Sequence, residues 1–564
     1  WDENLRLNTV LDQFADYRDG HWFRATFPFF ESPTWPPLRS FTTFVSLYLP
    51  LSNSITERDS FQGLLFFLLV FPSLVYIFSR IHRDWLVGSL IGLFVCILSL
   101  HTTEIPVYAL TSMLETQSMF FLVWSCYALY NLFFDEDRGI LRDKTGFLVF
   151  FGLFGFYFTK YPYGILLFLS TFLISILRNP NKFKSALQNI FASYLNWPRR
   201  IFFGIVFFAI SSLPVLRLFG SINLNQKPVK QALFYGSFLV FLDLSLFFWR
   251  KKKEVVHWFP LSTQVLWKYA YLPALVWLYM NPDRIGSLID AQLIVNQYTK
   301  SFYATLWTDP GSQAGIPGVF DFVWSFRILV VIGILISFLL RNQLKTILWV
   351  FACVIVELLL LEITTGNKQP RHVLQFVPIY LAILISISFF GITKLKSIPQ
   401  RLFAMVLLIG ISVLPGFLNR GLYGNGYFES RPFCYRGLDK TVFDPAREIS
   451  TQVQYNKRYI ILNLFHKKEK YETRGRGIAS DFDLAIKLKT HGLGVAKNDH
   501  PRIWKSWTEF DAILLISDTC PDKYTDQWFE DRVKNTNSLV RLVNTFRDSQ
   551  QISCLQTYEV IKNP

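Results

Sequence analysis

Charge is scarce in this 564-residue chain: Asp, Glu, Lys and Arg supply 17% of it, against about a quarter in an ordinary soluble domain. That shortage excludes a disordered chain and argues against a soluble multidomain enzyme. Cysteine is sparse too, with six residues and no CxxC pair, which excludes a disulfide-rich secreted miniprotein. Histidine forms no cluster of metal-ligand spacing, glycine forms no phosphate loop, and no repeat of solenoid period is present. A signal peptide is also missing. The chain opens at Trp1 within a polar stretch, so a preceding segment, since removed, is expected.

Apolar residues are what the chain has in abundance. They make up 51% of it, Phe alone numbers 57, and the mean hydropathy is +0.28. They gather into runs near the roughly 20 residues that a helix needs to cross a bilayer. Such runs lie at about 62–79, 86–100, 114–134, 147–159, 161–177, 201–216, 232–249, 255–280, 323–340, 346–363, 372–392 and 402–418. The pattern predicts a mainly α, polytopic membrane helical bundle with about twelve spans here. The pair 147–159 and 161–177 is short, which suits tilted or re-entrant helices.

The formal net charge of +16 follows from the same topology. No basic stripe with interleaved aromatics stands apart from the spans, so nucleic acid is not an expected partner. Alternate connectors, from Arg80 and Arg83 through Arg250–Lys253 to Lys394, Lys396 and Arg401, hold nineteen Lys and Arg in about 59 residues. The opposite connectors and the first loop hold about 13 in roughly 140. The positive-inside rule then places residues 1–61 and everything after the last span outside the cytoplasm. Residues 1–61 read as a first extracytoplasmic loop with short interfacial helices, 62–419 as the transmembrane domain, and 420–564 as a soluble extracytoplasmic α/β domain. In the last, 458–465 and 511–517 read as buried strands, 481–492 and 526–539 as helices, and 539–547 and 552–562 as closing strands. Cys434, Cys520 and Cys554 fall there, enough for one disulfide with one thiol left over. Cys96, Cys126 and Cys353 fall in spans as packing residues.

Several segments carry a family pattern. The first loop, "WDENLRLNTVLDQF…GHWFRATFPFFESPTWPPLRSF", contains Asp2-Glu3, Gly20-His21-Trp22 and Pro36-Pro37-Leu38. "TEIPVYALTSMLETQSMFFLVWSCYALY" places Glu115 at the opening of a span, "GFYFTKYPYGILLFL" places Lys160 at a span end, and "NKQPRHVLQFVPIYLAIL" contains Arg371, His372 and Pro378. In this order they resemble the GT-C glycosyltransferases, in the branch of the dolichyl-phosphate-mannose–protein mannosyltransferases and bacterial aminoarabinose transferases. The resemblance covers about 400 residues. It implies a first span ahead of Asp2, and thirteen spans in all.

The resemblance implies an inverting membrane glycosyltransferase. A sugar passes from a polyprenyl-phosphate donor to an extracytoplasmic glycolipid, lipopolysaccharide or protein acceptor. Asp2 is the expected base, Glu3 its neighbour, and Glu115 orients the base or the acceptor where Asp is usual. Lys160 and Arg371 are the expected partners of the leaving phosphate. Trp35, Pro36, Pro37 and His372 are expected to line the substrate loop. Thr34-Trp35 stands where the aminoarabinose transferases carry Glu-Lys, which puts in doubt that donor sugar and any metal bound by that Glu. No metal ligand is assigned and no cofactor is certain; a divalent metal stays open because relatives differ. The loop at 282–322, with "TDPGSQAGIPG", occupies the place of a family loop that covers the donor. A secondary transporter or lipid flippase is the alternative, because Asp243, Lys268 and Glu357 fall within spans, where charge is costly and usually functional.

Overall fold

A computed structural model describes residues 2–18, 20–23, 25–26, 37–49, 55–100, 105, 109, 114–140, 142–193, 198–199, 201, 227–250, 258–281, 283–284, 301–307, 323–365, 370–420, 444–454, 457–464, 478–489, 507, 510–517, 527, 529–531, 533–534, 539–551 and 553–561. Side chains are described for all of these but some at element ends, among them Asp2, Glu3, Pro370 and Arg371.

Helices dominate because a backbone in lipid must bond to itself. In the first loop lie α1 (Asp2–Arg18) and α2 (Pro37–Ser46). The bundle follows with α3 (Ile55–His82), α4 (Trp85–Leu100) and α5 (Glu115–Asp137). Next, α6 (Asp143–Val149) runs through a π-helical turn, Phe150–Phe154, into α7 (Gly155–Thr159). Then come α8 (Tyr161–Arg178), α9 (Pro180–Ser193) and α10 (Lys227–Arg250). The helix α11 (Leu261–Leu266) likewise passes through a π turn, Trp267–Tyr271, into α12 (Leu272–Tyr279). The set closes with α13 (Phe302–Trp307), α14 (Val323–Leu339), α15 (Arg341–Thr364), a 3-10 turn (Pro370–Phe376), α16 (Val377–Thr393) and α17 (Ile398–Arg420).

Every apolar run named above falls on one of these helices except 201–216, nearly all of which lies outside the described residues. Among the described residues four helices are long and apolar enough to cross a membrane: Glu57–His82, Tyr161–Arg178, Arg341–Thr364 and His372–Thr393. Shorter apolar helices include Trp85–Leu100, Lys144–Thr159 and Phe326–Leu339. Lipid is the environment they require, and the chain is a membrane protein. On α14 and α17 large apolar side chains point outward, Phe338 being 86% exposed, as lipid-facing surface should. The centre is α16, apolar on every side and buried from Val377 to Phe389, the mark of a helix enclosed by others.

The short pair is explained by a break. Helices α7 and α8 meet at Lys160, whose φ of −147° and ψ of 72° leave the helical region. The two π turns pack on one another, and a glycine of the first lies close against the α5 backbone. A Cβ on Gly152 would lie 2.7 Å from the Ser125 amide nitrogen and 2.8 Å from the Trp124 carbonyl.

Charge separates the two ends of the bundle. At one end Arg178 meets Glu136 at 3.3 Å and Asp137 at 2.9 Å, Lys345 meets Asp137 at 3.7 Å, and Arg142 meets Asp135 at 3.4 Å. The other end presents the start of α5, the break at Lys160, the end of α15 and the 3-10 turn.

The C-terminal region holds α18 (Asp444–Thr451), β1 (Tyr459–Leu464), α19 (Ile478–Lys489), β2 (Ala512–Ser517), β3 (Leu539–Arg547) and β4 (Cys554–Ile561). The sheet order is β1-β2-β4-β3. The β1–β2 pair is parallel and the other two pairs are antiparallel. Strand β2 is buried throughout and splits its side chains between two cores, as period-2 alternation requires. Ile513 and Leu515 meet Trp507 and Phe529 on one face. Ala512, Leu514 and Ile516 meet α18, α19 and, unexpectedly, Leu7, Val10 and Leu11 of α1 on the other. The first loop was expected to hold short helices lying in the membrane interface. Instead α1 has 17 residues, packs on α19 and buries Leu7, Val10 and Leu11 in the core that the sheet shares with α18 and α19. Cys554 is disulfide-bonded, with its partner outside the described residues, while Cys96, Cys126 and Cys353 are free thiols.

Replacing Gly152 by Leu forces a side chain into the α5 backbone and should destabilise the bundle by about 1–3 kcal/mol or more. Gly236→Leu, where nothing lies within 4 Å, should be neutral. Thermal unfolding midpoints in detergent compare the two, and equal midpoints would refute the close crossing.

Candidate active site

The site begins with a conflict between a charge and a helix end. Lys160 precedes α8, and its carbonyl accepts from the Tyr163 and Gly164 amides, both at 3.0 Å, so it caps the helix. Pro162 occupies the first turn, where a missing N–H costs nothing. The side chain of Lys160 thus lies at the positive end of an 18-residue helix, which disfavours a cation. Glu115 resolves the conflict: its Oε1 lies 3.6 Å from Lys160 Nζ, with the two side chains 4% and 9% exposed. Glu115 is itself the first residue of α5, where a carboxylate is favoured. The ammonium also sits 4.3 Å above the Tyr163 ring. Gly164 permits this geometry, since a Cβ there would lie 2.4 Å from Tyr157 Cα.

The 3-10 turn adds His372, half-buried, with its ring 6.0 Å from Tyr163 and 6.3 Å from Phe302. Phe302 is fixed in turn, its amide donating to Glu362 Oε2 at 2.6 Å. Glu115, Lys160 and His372 are therefore brought together, although 257 residues separate the first from the last in sequence.

The first loop is fastened beside them. Pro37 opens α2 and is buried. Arg39 lies 3.6 Å from Asp59, each 1% exposed. Asp59 Oδ1 accepts from Thr43 Oγ1 at 2.7 Å and from Gln62 Nε2 at 2.7 Å, and Gln62 donates also to Thr43 Oγ1. Gln117, one turn into α5, donates to Thr42 Oγ1 at 3.4 Å. Helix α2 packs on α1, α3 and α7, which links the acid-bearing helix to the helix ending at Lys160. Asp2 and Glu3 form the first turn of α1; their side chains, that of Arg371, and Trp35 and Pro36 altogether lie outside the described residues, as does most of 282–322.

One residue escaped sequence reasoning. Arg284, wholly buried, stacks its guanidinium 3.7 Å over Trp277 and donates to the Trp277 carbonyl. Tyr161, next to Lys160, packs on the same Trp277 at 5.6 Å between ring centroids. Burial pushes the Arg284 pKa down to about 10. A desolvated cation of this kind gains from any anion that reaches it. Its only sequence signal was an Arg just past the Asn-Pro that ends an apolar run.

The charges expected within spans differ in their settings. Asp243 pairs with Arg199 at 3.0 Å with both partly exposed, and Lys268 lies 4.8 Å over Tyr269. Glu357 is fully buried, and neither carboxylate oxygen has a hydrogen-bond partner among the described residues. Among the described residues no three His, Cys, Asp or Glu side chains gather as a metal would need.

No family model matches the chain, and no curated protein matches it. Among solved structures the chain is similar to the crystal structure of ArnT from Cupriavidus metallidurans in the apo state. Identity is 13%, coverage 98% of this chain and 93% of that one, and the TM-score 0.45. It is also similar to the same ArnT bound to undecaprenyl phosphate, at 11% identity, the same coverages and a TM-score of 0.32. Likeness at these TM-scores carries no argument about function.

Removing one partner of the buried pair strands the other. Glu115→Gln should cost about 3–5 kcal/mol, seen as a lower unfolding midpoint in detergent. Glu115→Gln combined with Lys160→Met should recover most of that loss. A double variant no more stable than the single one would show that the two side chains do not compensate each other.

Proposed function

We propose that the chain is an integral membrane glycosyltransferase of the inverting GT-C type. It takes a sugar from a polyprenyl-phosphate donor and passes it to an extracytoplasmic glycolipid, lipopolysaccharide or protein. The observation that carries this reading is convergence. Helix α2, the start of α5, the Lys160 break and the 3-10 turn, each from a segment that resembles the family pattern, pack together at one end of a membrane bundle, and that end buries two cations, Lys160 and Arg284.

The chemistry suits such an end. An acceptor hydroxyl or amine attacks C1 of the sugar from the face opposite the phosphate. A new bond to C1 forms as the C1–O bond to phosphate breaks, so the configuration inverts. A carboxylate takes the acceptor proton, and Asp2 is the candidate, with Glu3 beside it. The bonding pair leaves with the phosphate, whose charge needs cations near the membrane surface. Lys160 at the amino end of α8, Arg284, and Arg371 on the 3-10 turn are the candidates. Glu115 holds Lys160 in place until phosphate arrives, and His372 packs across Tyr163. The roles of Asp2, Glu3, Arg371, Trp35, Pro36 and Pro37 rest on the family resemblance.

Sidedness follows from charge. The connectors rich in Lys and Arg belong to the end opposite the site, which by the positive-inside rule is cytoplasmic. A disulfide at Cys554 suits an oxidising compartment for the C-terminal domain. The domain limits 1–61, 62–419 and 420–564 are kept, with α1 shared between the first and the last.

The transporter or flippase reading is favoured by Glu357, a buried acid without a hydrogen-bond partner among the described residues. Nanodisc-embedded protein incubated with radiolabelled polyprenyl-phosphate sugars and membrane extract separates the two. Transfer is expected in the parent and should fall by about 10²–10⁴-fold in Asp2→Asn. Transfer that survives this change moves the base to Glu3 or Glu115. No transfer from any donor, with lipid or solute movement lost in Glu357→Gln, replaces the enzyme by the transporter.

A further inference from the structure

The C-terminal domain holds a buried lysine outside the candidate site. Lys487, in the last turn of α19, is fully buried. Its Nζ lies 2.7 Å from Asp12 Oδ1 of α1 and donates to the Asn8 carbonyl at 3.4 Å. Around this contact Leu7, Val10 and Leu11 enter the same core as Ala446, Ile449, Leu484 and Ile486. Helix α1 is therefore built into the C-terminal domain, even though it belongs to the first loop by sequence. An ammonium buried in such a core requires its carboxylate, so the contact fixes both the position of α1 along its axis and its rotation about it.

Rotation matters because of what α1 carries. Successive residues of an α-helix are turned about 100° about its axis, so the setting of α1 governs where its first turn, with Asp2 and Glu3, is placed.

We infer that Lys487 is a positioning residue of the C-terminal domain: through Asp12 and Asn8 it holds α1 in register, and with it the first helical turn on which the Asp2–Glu3 pair stands. The inference rests on the glycosyltransferase reading for its activity readout and on geometry alone for its structural one. The domain thereby takes part in the reaction without touching substrate.

The test uses the full-length protein in nanodiscs with Lys487→Met, Lys487→Arg and the parent. Amide hydrogen exchange reports how firmly α1 is held, and transfer kinetics report the base. In Lys487→Met, α1 amides should exchange at least about 10-fold faster. The kcat should fall by about 10-fold or more with donor KM within about 2-fold. The difference between Asp2→Asn and Glu3→Gln, large in the parent, should narrow on the Lys487→Met background. Lys487→Arg should restore exchange protection and kcat together, which mere loss of folding would not allow. Unchanged α1 exchange in Lys487→Met overturns the inference, and so does faster exchange with unchanged kcat and unchanged base preference. If the parent transfers no sugar at all, the functional reading fails on its own, and protection of α1 lost in Lys487→Met and regained in Lys487→Arg still decides whether Lys487 sets the helix.

Discussion

A single ammonium at the amino end of a helix organises the bundle end where the candidate site lies. Lys160 interrupts a hydrophobic passage, caps α8 against the sign of its dipole, and is tolerated in a nearly dry place because Glu115 lies 3.6 Å away. That requirement ties the start of α5 to the break between α7 and α8. Tyr163 beneath the ammonium then gives His372 a surface to pack on, and α2 closes the group through Gln117 and Thr42. The site is thus the place where a costly charge has been made stable, and a phosphate arriving there would find the cation already desolvated and aimed.

Much of this was legible in the sequence, for a physical reason. Spans are long, apolar and fixed in length by the bilayer, so apolar helices could be located before any contact was known. Buried strands such as Ile513–Ile516 announce themselves by apolar runs of the right size. Glu115, Lys160 and His372 were nominated by the family resemblance of the segments that carry them, and Glu115 and Lys160 also stand at span ends, where polar residues are few. Arg284 had no such contrast. Its importance lies in Trp277 and Tyr161 folding around it, and neither contact leaves a trace in local pattern.

The placement of α1 shows the same limit more sharply. Its apolar face was readable, but an amphipathic helix does not name the surface it will cover. Lipid and a protein sheet are equally apolar partners. Only the buried Lys487, at the far end of the chain, distinguishes them, since a lipid surface would offer Asp12 no fixed cation. The mixed sheet escaped notice likewise: alternating helices and strands suggest parallel pairing, whereas β4 returns between β2 and β3 and makes two of the three strand pairs antiparallel.

The shared core has a consequence for how the protein is made. Helix α1 leaves the ribosome hundreds of residues ahead of α19, and ribosomes add about 5–20 residues per second. For something on the order of half a minute to a minute and a half, Leu7, Val10 and Leu11 wait without their partners while the spans are inserted one after another. Completion of the sheet at Cys554–Ile561 is then the event that captures the waiting helix. A chain whose synthesis stops early keeps its spans but leaves the apolar side of α1 without its core, a ready mark by which quality-control proteases can tell an unfinished molecule from a finished one.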